Sequence, residues 1–143
     1  MKKFTFLFLA LITIIACGTQ KNAVNGDMAG NSNFEIIKQD PYNGRELESH
    51  TVITNKEELD ALYRELNIEF ARPIDFTKEN VIALFMGQRS SGGYGVGIQK
   101  VIEKKDKVIV RRNYTEPDGV ATAVMTAPYC VAVIPKAAQT VVE

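Results

Sequence analysis

The run Val81-Ile82-Ala83-Leu84-Phe85-Met86 is apolar at every position and β-compatible throughout. Successive side chains of a strand point to opposite faces, so a strand apolar on both sides must be covered on both. A chain built around it folds in layers. A second run, Tyr129-Cys130-Val131-Ala132-Val133-Ile134, has the same character and is closed by Pro135, which cannot donate to a ladder. A cover for one face lies close by in sequence: Leu59, Leu62, Tyr63 and Leu66 share one stripe at helical spacing over residues 55–66. Thr54 stands at the cap of that helix, with Glu57 at the reciprocal position of a capping box.

The remaining elements are short. Residues 34–38 form a first strand, and Pro41-Tyr42-Asn43-Gly44 a turn. Residues 94–103 and 107–114 pair as a hairpin across Lys104-Lys105-Asp106, and residues 140–142 add a last edge. Residues 34–143 make up 110 of the chain's 143 residues, enough for one domain with a real core and not for two. The expected fold is α+β, a small antiparallel β-sheet domain with one main α-helix packed on it.

The first 33 residues have a different character. Lys2 and Lys3, the apolar stretch Phe4 to Ile15 and the small Ala16 have the order of a secretory signal peptide. That stretch is shorter than the ~20 residues that span a bilayer. The tetrad Ile14-Ile15-Ala16-Cys17 resembles the lipobox of bacterial lipoproteins, which implies that residues 1–16 are removed and Cys17 is acylated. Gly18, Thr19, Gln20 and Asn22 open a polar segment, and residues 18–33 read as a flexible linker with a root-mean-square span of ~20 to 25 Å. The expected location is the bacterial cell envelope, with the domain held to a membrane through lipid on Cys17. Inner or outer membrane, and its periplasmic or surface face, stay open.

Of the 17 basic residues two, Lys2 and Lys3, fall in the leader, leaving 15 against 17 acidic ones, a balance of about −2. That overall charge points away from nucleic acid and from an electrostatic membrane footprint. With Cys17 assigned to lipid, Cys130 is left without a disulfide partner, and its apolar surroundings suit a buried, inert thiol. One histidine, His50, and one free cysteine are too few for a zinc site, so no metal is expected.

Five of the chain's ten glycines fall within Gly87-Gln88-Arg89-Ser90-Ser91-Gly92-Gly93-Tyr94-Gly95-Val96-Gly97-Ile98. The spacing does not match G-x-G-x-x-G, and the segment leads into a strand rather than a helix. Ser90 and Ser91 lie outside any G-x-S-x-G elbow, and no Gly-Lys-Ser/Thr follows to cradle phosphate. The acidic pair around Pro117, Glu116 and Asp118, reads as a solvated loop. No catalytic residue and no cofactor is expected. Tyr94, Val96 and Ile98 share one face of their strand, while Gly95 and Gly97 leave the other bare for a neighbour from the same domain or a partner chain.

Phe85-Met86-Gly87-Gln88, Ser91-Gly92-Gly93-Tyr94 and Thr126-Ala127-Pro128-Tyr129 together resemble the PrcB C-terminal domain family over about residues 80–135. Ser91 stands where that family usually has Thr, which keeps the hydroxyl. The namesake is a lipoprotein subunit of a surface protease complex, so the resemblance implies a non-catalytic role in binding, stabilising or retaining an envelope protein such as a protease. Arg89, Ser90, Ser91, Gly92, Gly93 and Tyr94 are the candidate contact residues, since loops held on rigid strands are common recognition elements. The alternative is a protease inhibitor presenting the same Gly-rich loop.

Overall fold

The computed structural model describes residues 33–69 and 71–143. The signal peptide, Cys17 and nearly all of the linker lie outside the described residues. The element order is β1 (Glu35–Asp40), β2 (Ser49–Ile53), α1 (Lys56–Glu65), β3 (Glu79–Phe85), β4 (Gly95–Glu103), β5 (Lys107–Thr115), β6 (Tyr129–Pro135) and β7 (Gln139–Val142).

The α+β class and the helix packed on a sheet hold, and the strands divide between two sheets. One is a four-stranded antiparallel sheet in the order β1-β6-β3-β2; the other has the order β4-β5-β7. In the smaller sheet β4 and β5 form the expected hairpin, while the edge strand β7 runs parallel to β5.

The two apolar runs are the central strands of the larger sheet, paired from Glu79↔Pro135 to Phe85↔Tyr129. Their alternation feeds two cores. Val81, Ala83 and Phe85 of β3, with Tyr129, Val131 and Val133 of β6, pack against Leu59, Leu62 and Leu66 of the helix stripe. Ile82, Leu84, Met86, Cys130, Ala132 and Ile134 face Val96, Ile98, Val101, Val108 and Val110 of the smaller sheet. The layers are therefore helix, four-stranded sheet and three-stranded sheet, and the two-sided hydrophobicity of β3 and β6 is what requires a cover on each side.

The helix begins one residue later than its capping signal suggests. Asn55, not Thr54, is the N-cap: its Oδ1 accepts from the Glu58 N–H at 2.9 Å, and the Glu58 carboxylate accepts from the Thr54 N–H at 3.0 Å. The cap is thus shifted from Thr54 to Asn55, and the returning bond to the Glu58 carboxylate comes from the residue before the cap, Thr54. Asn outranks Thr at a cap, and this frame still satisfies two otherwise orphaned donors.

The strand registers give the molecule two ends. Asp40, Ser49, Phe85, Gly95, Thr115 and Tyr129 pair with one another at one end. The hairpin turn between β4 and β5 lies at the other, where the Asn33 side-chain amide bonds the Glu103 carboxylate.

Candidate functional site

Three connections converge at the first end: residues 41–48, 86–94 and 116–128. Their backbones are laced together. Gly44 and Ala127 bind across the first and third loops, with Gly44 N–H to Ala127 O at 2.9 Å and Ala127 N–H to Pro41 O at 3.0 Å. Gln88 N–H donates to Glu46 O at 2.9 Å, joining the first and second. Between the second and third, Arg89 and Thr126 exchange both backbone bonds at 2.8 and 2.9 Å, and Gly92 N–H reaches Thr122 O at 2.9 Å. Thr126, 2% exposed, turns its hydroxyl to Ser91 O at 2.9 Å.

Ser91-Gly92-Gly93-Tyr94 and Thr126-Ala127-Pro128-Tyr129 are thereby parts of one structural unit. Residues 80–135 match the family model described as PrcB C-terminal. That segment belongs to the PrcB C-terminal family. No curated protein and no solved structure matches the chain.

The PrcB C-terminal segment contains all six candidate contact residues, and the structure brings them together with unequal freedom. Ser90 is exposed, and Arg89 is half-buried with its guanidinium 5.8 Å from the centre of the Tyr94 ring. Ser91 and Gly92 give main-chain groups to the lacing described above. Tyr94 packs on the core between the sheets, so its ring is part of the scaffold. Gly93 has φ +88, and a Cβ there would stand 2.7 Å from the Cβ of Pro117, so both backbone conformation and space demand glycine. The bare face at Gly97 is filled from within the domain: a Cβ would meet Asn113 at 3.1 Å and Gln39 at 3.2 Å, and Gln39 donates to Val96 O at 2.9 Å.

A polar cluster borders the PrcB C-terminal loops. The Tyr114 hydroxyl donates to Glu48 at 2.6 Å, and Arg112 pairs with the same carboxylate at 3.0 Å while lying 5.1 Å from the centre of the Tyr114 ring. The hydroxyl bond holds the Glu48 carboxyl below the usual range, and burial, with Glu48 beside it, pushes Tyr114 up to about 12. These groups neutralise and fix one another and leave no free acid–base pair. Glu116 and Asp118 are exposed in the third loop.

Around these loops stand side chains that no local sequence pattern marked. Leu47 is 79% exposed, Val120 fully exposed, Met125 57% and Val124 37% exposed. A lone exposed apolar residue is ordinary, but four on two laced loops are the kind of group that marks a contact surface. They went unmarked because the loops carrying them meet only through long-range bonds.

Elsewhere, a shallow groove of about 460 Å³ at the opposite end is lined in part by Phe34, Glu35, Arg72, Glu79 and Glu103. Arg72 is engaged there by Glu35 at 2.8 Å and Glu79 at 2.9 Å. Among the described residues no group of three or more His, Cys, Asp or Glu is placed to hold a metal ion. Nor is any helix among them long and apolar enough to cross a membrane. Cys130 is fully buried in the inter-sheet core, and burial pushes its thiol up to about 12.

Proposed function

We propose that this chain is a non-catalytic lipoprotein of the bacterial cell envelope whose three-loop end binds, and stabilises or retains, a partner protein that is a protease. The carrying observation is the loop end itself: a backbone laced at every junction that presents Leu47, Val120, Val124 and Met125 to solvent beside Arg89 and Ser90. A surface ordered before binding loses little conformational entropy on association. Membership of the PrcB C-terminal family supports a protease complex as the setting. The signal-like residues 1–16, Cys17 and the polar linker support an anchored domain.

The test is crosslinking in native membranes followed by affinity capture and mass spectrometry. The intact chain is compared with Val120→Asp/Met125→Asp and with Arg89→Ala/Ser90→Ala; Val120, Met125 and Ser90 are exposed and Arg89 half-buried. Capture of a protease by the intact chain, lost in the surface variants, is the expected result. Equal capture by all three removes the loops from the binding surface, and capture of no protease removes the partner class. Stoichiometric inhibition of the captured protease would identify an inhibitor instead. Cys17→Ser should release the chain from membranes or block its processing; unchanged attachment removes the anchor.

A further inference from the structure

Among the described residues the outer face of the three-stranded sheet has no covering layer, since the helix packs on the four-stranded sheet. Its composition follows from register. A bulge between Ile98 and Lys100 resets the alternation of β4, so that Val96, Ile98 and Val101 turn inward while Lys100 and Ile102 turn outward. Lys100 stands opposite Arg111 and Ile102 opposite Ile109; Ile109 in turn neighbours Val141, and Lys107 neighbours Gln139. The face is thus a half-buried apolar row, Ile102, Ile109 and Val141, bordered by exposed Lys100, Lys107 and Arg111. The hairpin tip adds exposed Lys104 and Lys105. Against these five cations stand Glu103 and Asp106 at the tip and Glu143, 3.6 Å from Arg111.

A chain with no net charge has concentrated cations on one sheet. The helix on the far side carries Glu57, Glu58, Asp60 and Glu65 against Lys56 and Arg64. Lys100 and Arg111 are like charges directly across a strand pair, an unfavourable arrangement that Glu143 offsets only on the Arg111 side.

We propose that this face docks on an anionic lipid bilayer. The apolar row suits the headgroup boundary, and the lysine stems can lie along it with their ammonium groups on phosphates. A bilayer is favoured over an acidic protein by where the chain enters the fold. Asn33 bonds Glu103 beside the hairpin tip, so the linker from Cys17 arrives at the basic end. That step rests on the anchor reading above; the sorted charge does not. Each basic residue near an anionic surface is worth about a fivefold gain in partitioning. The nine residues of β4 place the three-loop end about 30 Å along the sheet from the hairpin tip, at the far edge of the docked face.

The test reconstitutes the full acylated chain into vesicles of phosphatidylcholine alone or mixed with phosphatidylglycerol, and measures acetylation rates of individual lysines. Lys100, Lys104 and Lys107 should be modified several-fold more slowly on the anionic vesicles and regain their rates in high salt, while Lys56 on the helix stays unchanged. In Lys100→Glu/Lys107→Glu, two exposed substitutions, Lys104 should lose its protection. Equal rates on both vesicles, or protection of Lys104 that survives the double variant, would overturn the proposal. Protection found only in native membranes would do the same and point to an acidic protein. Flotation with the phosphatidylcholine vesicles reports the anchor by itself, so failure of one reading is distinguishable from failure of the other.

Discussion

Thr126 donates its hydroxyl to the carbonyl of Ser91 at 2.9 Å across 35 residues of sequence. With the paired backbone of Arg89 and Thr126, that bond makes the Gly-rich loop and the strand-entry segment a single unit. Thr126→Val keeps the shape and removes the donor in a buried position. The expected cost is about 1 to 3 kcal/mol of unfolding free energy, seen as a lower denaturant midpoint, with faster hydrogen exchange at the Arg89 and Gly92 amides. Unchanged exchange at both would show that the hydroxyl does not hold the loop.

Gly93 meets two independent constraints, its φ of +88 and the Pro117 ring. Gly93→Ala should destabilise the fold by about 1 to 3 kcal/mol. In a Pro117→Gly background the steric part should vanish and the backbone part remain, so the double variant should show partial recovery by thermal unfolding. Full additivity of the two changes would count against the contact.

The start of the helix can be read by mutation. Asn55→Ala should lower stability by about 0.5 to 2 kcal/mol, and Thr54→Ala by clearly less, because Thr54 bonds Glu58 through its backbone N–H at 3.0 Å while its hydroxyl stands 3.5 Å away. The reverse order in chemical denaturation would restore Thr54 as the cap.

Burial holds Cys130 as a thiol, so it should react with alkylating reagents only through opening of the inter-sheet core. Labelling of its peptide, followed by mass spectrometry across a urea series, should rise with the same midpoint as the spectroscopic unfolding curve. Rapid labelling in native buffer would mean that the core opens locally.

Acid should weaken the domain. Glu48, Glu65 and Glu79 are held below the usual carboxylate range, by the Tyr114 hydroxyl, by Arg45 and by Arg72 respectively. A carboxylate lowered in the folded state adds stability above its unfolded value, about 4.3, and loses it as pH falls through the lower folded value. The urea midpoint should therefore hold near neutrality and decline below about pH 4.3. Arg72→Met, which removes the partner of Glu79 and of Glu35, should make that decline shallower. An equal slope would show that these pairs contribute little.

The two apolar runs, the helix stripe and the hairpin could be read along the chain because each is a short-range pattern of period 2 or 3.6. The two-sided hydrophobicity of Val81–Met86 alone demanded a cover on each face, and the alternation then divided β3 between two cores. What it could not say is that the second cover is a separate sheet, completed by β7 running parallel to β5, since pairing partners are chosen by long-range packing. The Gly-rich loop stood out by composition, but the reason for Gly93 is Pro117, and the apolar neighbours at Leu47, Val120 and Met125 reach the loop end only through bonds between distant segments. Charge shows the same divide. Summed over the chain it is neutral and suggests no surface, whereas the alternating Lys100, Ile102 and Lys107, Ile109, Arg111 become one basic face once a bulge sets the phase and pairing sets the register. Local pattern determined the elements; tertiary structure decided which faces remain open to solvent, because burial depends on what lies opposite each strand and not on the strand itself.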